Sequence, residues 1–107
     1  MNENITPFQR RVYAALMEVP AGRVTTYGFL AARIGCASAR AVGGALRRNP
    51  FAPRVPCHRV IAGDLTLGGY NGQLDGPQAA RKRALLLSEG VAFGLDGKLA
   101  DPARLWK

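Results

Sequence analysis

The chain has 107 residues, 48% of them hydrophobic, and a formal net charge of +8, which fits one ordinary domain with a modest core. It has no apolar run near the ~20 residues that span a bilayer, and its polar, basic start has no signal-peptide character, so we expect neither a membrane nor a secreted protein. Two cysteines and one histidine are too few for a disulfide scaffold or a structural zinc site, so we expect no metal.

The basic residues are concentrated in one part of the chain. Between Val19 and Gly63 there is no acidic residue, while seven arginines fall there: Arg23, Arg33, Arg40, Arg47, Arg48, Arg54 and Arg59. A stretch of one sign attracts polyanions, and the guanidinium group binds two phosphate oxygens at once. Surfaces that serve solubility alone usually mix both signs. The charge pattern therefore favours nucleic-acid binding over a simple solubility surface.

The first predicted helix has a clear start. Thr6 and Gln9 have the spacing of a capping box, and Pro7 suits the first helical position. Its apolar stripe consists of Phe8, Val12, Leu16 and Val19, and the helix is closed by Pro20 and Gly22.

Two further helices follow closely. Val24 and Thr25 form a short extended link, and Thr26 then caps a predicted helix over residues 27–34 that stops at Gly35. Ser38 caps the next helix, over residues 39–48. The pattern predicts a helix-turn-helix unit whose last helix would contact nucleic acid.

That last helix carries both arginines and glycines. Arg40 and Arg47 are seven residues apart and lie on one face, while Val42, Ala45 and Leu46 face the core. Gly43 and Gly44 each weaken a helix by about 1 kcal/mol relative to alanine. Either a neighbouring helix packs tightly there, or another molecule such as DNA approaches closely.

After Pro53 the pattern becomes extended. Residues 59–61, a turn at Gly63-Asp64 and residues 65–67 predict a small hairpin or wing. Pro77 opens a final helix with apolar residues at Ala80, Ala84, Leu85 and Leu87, ending near Gly90. The predicted fold class is mainly α with a small β wing, a winged-helix-like helix-turn-helix domain.

The most informative residues are Cys57 and His58, between apolar neighbours in a basic stretch. A thiolate is a strong nucleophile, and an imidazole can take the thiol proton. On an extended segment the two side chains would point to opposite faces, so direct contact would need a turn, and a water relay is the alternative. For a bare Cys-His pair, a buried structural cysteine beside a solvent-facing histidine is the favoured interpretation.

A wider set of motifs carries a resemblance. PCHRV, preceded by TTYGFLA and ARAVGGALRRNP and followed by GGYNG and LLSEG, resembles the O6-alkylguanine-DNA alkyltransferases from about Thr6 to Gly90. The resemblance implies a helix-turn-helix active-site domain, double-stranded DNA containing O6-alkylguanine as partner, and no cofactor.

The resemblance also implies catalytic roles. Cys57 matches the cysteine that accepts the alkyl group, His58 the histidine that activates it through a water, and Glu89 the glutamate that orients the histidine. Asn49 matches the asparagine that shapes the active-site turn. Tyr27 matches the tyrosine that crowds the 3′ phosphate, helps to rotate the nucleotide outward and protonates the departing guanine. The implied product is a stable thioether, so the protein would act once.

Roles on DNA follow from the same resemblance. Arg40 matches the arginine finger that replaces the flipped base, and the recognition helix lies in the minor groove, which would explain Gly43 and Gly44. Further DNA contacts are expected from Thr26, Ala39 and Arg47. Val60 matches a position whose carbonyl accepts the exocyclic amine of guanine, and the rest of the expected lesion pocket is formed by Pro56, Gly69, Tyr70, Asn71 and Gly72.

Two features depart from the family pattern. Most members carry an additional N-terminal domain, whereas here about six residues precede the first helix, so we expect a single domain over residues 1–107 without it. Short relatives, the alkyltransferase-like proteins, bind alkylated guanine and direct it to nucleotide excision repair; they typically have tryptophan or alanine where this chain has Cys57. Asn71 stands where a serine or another polar residue is frequent.

Several functions therefore remain open. The first hypothesis is a suicidal alkyltransferase, and the second is a damage sensor that flips the base but leaves Cys57 unmodified and recruits excision-repair proteins. A winged-helix regulator would bind a specific sequence and ignore lesions. A Cys-His hydrolase or redox protein is disfavoured by the polycationic stretch. We expect a monomer in the cytoplasm, associated with the nucleoid, or in the nucleus of a eukaryote.

Overall fold

The computed structural model describes residues 5–68 and 76–107. Within these ranges, four helices are present: α1 (Pro7–Leu16), α2 (Tyr27–Arg33), α3 (Ala39–Arg47) and α4 (Pro77–Ser88). Two short strands, β1 (Thr25–Thr26) and β2 (Val60–Ile61), form one sheet, and single turns of 3-10 helix cover Cys57–Arg59 and Pro102–Arg104. The predicted mainly helical, helix-turn-helix fold class is confirmed.

The predicted helix starts are confirmed by their caps. The Thr6 hydroxyl accepts from the Gln9 N–H at 3.0 Å, and the Gln9 side chain accepts from the Thr6 N–H at 3.0 Å, which completes the capping box. Thr26 caps α2 by accepting from the Phe29 N–H at 3.1 Å. Ser38 caps α3 by accepting from the Ala41 N–H, also at 3.1 Å. These hydrogen bonds satisfy donors that have no partner inside the helix.

Two apolar clusters form the core. The first joins α1, α2 and α3 and includes the expected Val12, Leu16 and Val19, with Phe8 partly buried against it. The second lies around the sheet and the C-terminal segment, with Val24, Ile61, Leu67, Leu86, Val91 and Leu99. In the final helix the buried residues are Lys82 and Leu86. Of the apolar residues named from the sequence, Leu85 is partly buried against the first cluster, whereas Leu87 is 63% exposed.

The predicted hairpin is wrong in its strand pairing. β2 pairs in parallel with β1, with Thr25 opposite Val60 and Thr26 opposite Ile61. The turn itself does form, because the Ala62 N–H donates to the Thr66 carbonyl at 3.0 Å. An isolated short hairpin is marginally stable in water, whereas Val60 and Ile61, both fully buried, gain apolar burial in the long-range pairing.

The parallel pairing brings two distant segments together. β1 leads directly into Tyr27 at the start of α2, and β2 follows directly on the turn at Cys57–Arg59. The same turn packs against α4. The residues with candidate chemical roles therefore meet where α2, α4 and this turn converge. No helix in the described ranges is long and apolar enough to cross a bilayer.

Candidate active site and nucleic-acid interface

Cys57 begins the 3-10 turn over Cys57–Arg59, which we call the cysteine turn. The Cys57 N–H donates to the Val55 carbonyl at 2.8 Å, and the Arg59 N–H donates to the Pro56 carbonyl at 2.9 Å. Cys57 is only 5% exposed. Since a 3-10 helix has about three residues per turn, the side chains of Cys57 and His58 are not forced to opposite faces. The segment is thus not the extended one that the sequence suggested.

His58 is 2% exposed and has two different ring nitrogens. Its Nε2 lies 2.9 Å from Oε2 of Glu89. Its Nδ1 is buried and has no hydrogen-bond partner among the described residues. Burial lowers the pKa of His58, and the charges of Arg59 and Lys82 add to this, against the opposing effect of Glu89. A neutral ring that donates from Nε2 to Glu89 leaves the Nδ1 lone pair as a proton acceptor.

Glu89 follows α4 directly and accepts from two cationic or polar partners. Nε of Arg59 donates to Oε1 at 3.0 Å, and Nη2 of Arg59 donates to Oε2 at 2.8 Å. Burial by itself would raise the pKa of Glu89, but hydrogen bonds from Arg59 and His58, with their charges, outweigh burial and lower the pKa to about 2. Glu89 is therefore a fixed anion at neutral pH.

Arg59 is a site residue that sequence reasoning missed. Its third nitrogen, Nη1, donates to the Val19 carbonyl at 2.8 Å, which ties the cysteine turn to the end of the α1 region. The sequence analysis counted Arg59 among the seven arginines expected to attract polyanions, but in the structure its charge is paired with Glu89. The two residues are 30 positions apart, so no local pattern links them. The charge of Arg33, another of these arginines, is paired with Glu18 at 3.0 Å.

Asn49 braces the loop that leads to Cys57. Its Nδ2 donates to the Val55 carbonyl at 3.0 Å, and its Oδ1 accepts from the Phe51 N–H at 2.9 Å. The Val55 carbonyl also accepts from Cys57. The side chain of Asn49 thus fixes the loop that leads to the cysteine turn.

Tyr27 is half-buried at the first position of α2. Burial raises the pKa of its hydroxyl, a negative charge on Cys57 raises it further, and Arg47 opposes both. The tyrosine ring faces Gly43 on α3, where an added Cβ would lie 3.9 Å from Cδ1 of Tyr27. Tyr27 therefore lies between the cysteine turn and the helix expected to contact DNA.

The surface of α3 is basic and has no bulk at its centre. Ala39, Arg40 and Arg47 are exposed. Among the described residues, a Cβ on Gly43 or Gly44 would meet only ordinary contacts, at 3.9 Å from the Tyr27 ring and 3.5 Å from the Arg48 side chain. Packing against the described residues therefore does not require the two glycines.

Of the other residues predicted to contact DNA or to line the lesion pocket, some are buried and some lie outside the described residues. Thr26 is 5% exposed and its hydroxyl caps α2. Val60 and Pro56 are buried beside the cysteine turn. Gly69, Tyr70, Asn71 and Gly72 lie outside the described residues. Within residues 5–68 and 76–107, no group of three or more His, Cys, Asp or Glu side chains is placed to hold a metal ion.

Lys82 is the second residue that the sequence analysis missed. It is fully buried on α4, and its Nζ donates to the Val60 carbonyl at 2.7 Å. Burial lowers the pKa of Lys82 to about 7, and a negative charge on Cys57 acts in the opposite direction. The signal was present in the spacing, since Lys82 stands four residues before the buried Leu86 and so shares its helix face. The flanking Arg81 and Arg83 concealed it.

The chain is similar to known proteins over most of its length. Residues 7–91 match the family model described as 6-O-methylguanine DNA methyltransferase, DNA binding domain. A methylated-DNA–protein-cysteine methyltransferase of Salmonella typhimurium is 50% identical over 86 residues, which are 79% of this chain and 47% of that protein. One from Mycobacterium bovis is 49% identical over 97 residues, 90% of this chain and 56% of that protein. The chain thus spans about half the length of these relatives.

Solved structures give the same relationship. The crystal structure of Mycobacterium tuberculosis OGT in complex with DNA superposes with a TM-score of 0.72 at 47% identity, over 80% of this chain and 51% of that one. S. pombe Atl1 in complex with damaged DNA containing O6-carboxymethylguanine superposes with a TM-score of 0.79 at 32% identity, over 97% and 98% of the two chains. The family match covers most of the chain and includes Cys57, His58 and Glu89, and the chain therefore belongs to the family of the 6-O-methylguanine DNA methyltransferase DNA-binding domain.

Proposed function

We propose that this protein repairs DNA by transferring an alkyl group from O6 of guanine directly and irreversibly to Cys57. The observation that carries the proposal is the group of Cys57, His58 and Glu89, which we call the triad. Its carboxylate is held in place by Arg59. A buried thiol is followed by a neutral His58, whose Nε2 is held at 2.9 Å by Glu89, and Glu89 is in turn held by Arg59. A structural cysteine needs no such support.

The triad accounts for activation of the thiol. The Glu89 carboxylate holds the proton of His58 on Nε2, so that Nδ1 is the basic nitrogen. Nδ1 takes the thiol proton of Cys57 through an intervening water molecule, which leaves a thiolate. The Sγ lone pair then forms a bond to the alkyl carbon as the bond from that carbon to O6 breaks. The released electron pair stays on guanine, which takes a proton from the Tyr27 hydroxyl.

The geometry also suits extraction of the base. The alkyl carbon is out of reach inside a stacked duplex, so the nucleotide must be flipped out. Gly43 and Gly44 let α3 approach a narrow minor groove, and the exposed Arg40 fills the gap that the flipped base leaves. Tyr27 crowds the 3′ phosphate, and Ala39 and Arg47 add contacts to the backbone. The Val60 carbonyl accepts from the exocyclic amine of the flipped guanine.

We propose further that this domain performs the transfer by itself, as a monomer and without a cofactor. The residues given chemical roles, Cys57, His58, Glu89 and Tyr27, all lie within the matched residues 7–91. The reaction requires the protein to work where the genome lies, in the cytoplasm and nucleoid of a prokaryote or the nucleus of a eukaryote.

A damage sensor is the second candidate, and one observation favours it. The similarity to S. pombe Atl1 in complex with damaged DNA extends over nearly the whole of both chains. In that case the protein would flip and hold the alkylated base, leave Cys57 free and present the site to excision-repair proteins. The sensor and the enzyme share every DNA contact and differ only in the fate of the Cys57 thiol.

The deciding experiment is intact-protein mass spectrometry after incubation with a duplex that contains one O6-methylguanine. Transfer predicts a gain of one methyl group on the parent and on Cys36→Ser, no gain on Cys57→Ser, and a modified peptide that contains Cys57. Tight, lesion-selective binding without a mass gain would establish the sensor. Binding without preference for the lesion would contradict both and return the protein to the class of general DNA-binding domains.

A further inference from the structure

Tyr13 is a buried tyrosine of α1 to which the proposed transfer assigns no role. It is 5% exposed, and its hydroxyl donates at 2.7 Å to the carbonyl of Ala45 in the last turn of α3. A phenylalanine would fill nearly the same space, whereas a buried hydroxyl costs free energy unless it has a hydrogen-bond partner. The hydroxyl is therefore a feature that apolar packing of α1 against α3 does not explain.

Tyr13 contacts the chain on both sides of Asn49. Before Asn49, the tyrosine hydroxyl holds the Ala45 carbonyl. After Asn49, the tyrosine ring meets the ring of Phe51 edge to face, with the centroids 6.1 Å apart and an interplanar angle of 87°. The Phe51 N–H donates in turn to Oδ1 of Asn49 at 2.9 Å. Tyr13 thus holds both ends of the short segment that carries Asn49.

Hydrogen bonds lead from this segment directly to the nucleophile. Nδ2 of Asn49 donates to the Val55 carbonyl at 3.0 Å, and the Val55 N–H donates to the Phe51 carbonyl at 3.1 Å. The same Val55 carbonyl accepts from the Cys57 N–H at 2.8 Å. Cys57 and Tyr13 also belong to one buried cluster. Each step from the tyrosine to the cysteine turn is therefore a direct contact between neighbouring groups.

We propose that Tyr13 is a positioning residue for alkyl transfer, which fixes the end of α3 to the loop before the cysteine turn and so sets where Cys57 lies relative to DNA held by α3. This inference rests on the function proposed above. In that function α3 places the flipped guanine, whereas Cys57 lies on a segment that follows α3 in the chain. The distance from Sγ to the alkyl carbon therefore depends on how firmly this segment is joined to α3. An error of about 1 Å in such a distance can cost about 100-fold in rate.

The Tyr13 hydroxyl remains a hydrogen-bond donor over the whole neutral range. Burial raises its pKa above the ordinary 10.0, and a negative charge on Cys57 raises it further, against the opposing charge of Arg48. The hydroxyl therefore keeps its proton while the transfer proceeds. Its loss should lower the transfer rate by the same factor at every pH, and a change in the shape of the pH profile would assign the hydroxyl to acid-base chemistry and contradict a positioning role.

The main test compares Tyr13→Phe with Val12→Ala, a change at a fully buried neighbour on the same helix. Val12→Ala lowers stability through a cavity in the same cluster but keeps the tyrosine hydroxyl. The measurement is the single-turnover rate of methyl transfer at saturating lesion DNA between about pH 6 and 9, with lesion affinity and melting temperature recorded for each variant.

Tyr13→Phe should lower the saturating rate by about tenfold and leave the lesion affinity within about twofold of the parent. Val12→Ala should keep the parental rate although its melting temperature falls. A parental saturating rate in Tyr13→Phe would overturn the proposal. So would an equal loss of rate in Val12→Ala, because lower stability alone would then account for the effect.

Two unnatural amino acids introduced in place of Tyr13 separate the hydrogen bond from the shape of the side chain. 4-Aminophenylalanine keeps a donor at the para position, whereas 4-methylphenylalanine has a similar size and no donor. The first should recover most of the parental rate, and the second should stay near the rate of Tyr13→Phe. Equal rates for the two would mean that only the filled space matters, which contradicts the role of the hydroxyl.

Amide hydrogen exchange without DNA keeps this inference distinct from the proposed function. In Tyr13→Phe the Cys57 amide should exchange severalfold faster relative to the amides of α2, because the loop that presents the Val55 carbonyl is held less firmly. In Val12→Ala this ratio should stay parental. No methyl transfer by the parent would refute the proposed function alone, and an unchanged ratio in Tyr13→Phe would refute the role of Tyr13 alone.

A second variant serves if Tyr13→Phe does not fold. Phe51→Leu keeps the hydroxyl bond to Ala45 but removes the edge-to-face contact of the two rings. It should raise the same exchange ratio for Cys57 and lower the saturating transfer rate severalfold. A parental ratio and a parental rate in Phe51→Leu would overturn the proposed path from Tyr13 to the cysteine turn.

Discussion

Replacement of Glu89 by glutamine tests the central contact of the site. The Glu89 carboxylate accepts from Nε2 of His58 at 2.9 Å and from Arg59 at 2.8 and 3.0 Å, with a side chain only 15% exposed. Glutamine has nearly the same shape and keeps one acceptor oxygen, but it has no charge. Glu89→Gln therefore removes the anion while it leaves most of the packing in place.

The size of the effect follows from the pKa of Glu89. Folding lowers this pKa from an ordinary 4.5 to about 2, which corresponds to about 3 kcal/mol of stability from the ionised carboxylate. Because the pKa is lower in the folded state, this stability is fully present above about pH 4.5 and is lost as the pH falls towards 2. The free energy of unfolding of the parent should therefore drop across this range, and Glu89→Gln should lack that part of the drop.

The assay is urea unfolding of the parent and Glu89→Gln between pH 2.5 and 7. The variant should be less stable by about 3 kcal/mol near pH 6, and the two curves should converge towards pH 2.5. Glu18→Gln is the matched control, because Glu18 is 58% exposed in its pair with Arg33 and exposed pairs contribute little. In parallel, the rate of methyl transfer should fall by about 10- to 100-fold in Glu89→Gln, as for other residues that orient a histidine.

Parallel stability curves for the parent and Glu89→Gln would refute this reasoning, because they would mean that the carboxylate is not ionised preferentially in the folded state. A convergent pair of curves with an unchanged transfer rate would refute only the step from Glu89 to His58. In that case, the ion pair with Arg59 would be purely structural.

Four further predictions concern the DNA-binding surface and the buried lysine. Gly43→Ala should stabilise the fold by up to about 1 kcal/mol in urea unfolding, since the new Cβ makes only a 3.9 Å contact. The same variant should bind a lesion duplex more weakly in a titration. A loss of stability would mean that the added Cβ does not fit against the Tyr27 ring. Arg40→Ala should weaken lesion binding with little change in melting temperature because Arg40 is exposed. An unchanged affinity for the lesion duplex in this variant would contradict the assignment of Arg40 as the arginine that replaces the flipped base. The affinity of the parent for the lesion duplex should fall steeply with salt, and a flat response would mean that the arginines are only a surface feature. Because the pKa of Lys82 is lowered from 10.5 to about 7, the unfolding free energy should rise by roughly 3 to 4 kcal/mol between pH 7 and 10, and this rise should be absent in Lys82→Met. Curves of the same slope would show that burial does not lower the pKa of Lys82.

The sequence by itself determined the local features of this protein. Helix starts at Thr6, Thr26 and Ser38 depend on hydrogen bonds between residues three positions apart, so a short pattern is sufficient to predict them. The helix-turn-helix order and the basic character of α3 are visible in the same way. The motifs that carry the family resemblance, from TTYGFLA to LLSEG, could be recognised because the residues of each motif are contiguous in the chain.

Only the tertiary structure decided which distant groups meet. The pairing of Arg59 with Glu89 joins residues 30 apart, so an arginine of the basic stretch holds a carboxylate of the candidate site. The parallel alignment of β1 and β2, in place of a local hairpin, brings Tyr27 and the cysteine turn together. The burial of Lys82 depends on what packs against α4, because its spacing from Leu86 puts the two residues on one helix face but does not say which face is buried. Charge pairing and burial are set by what lies across the fold, and the order of residues along the chain does not record it.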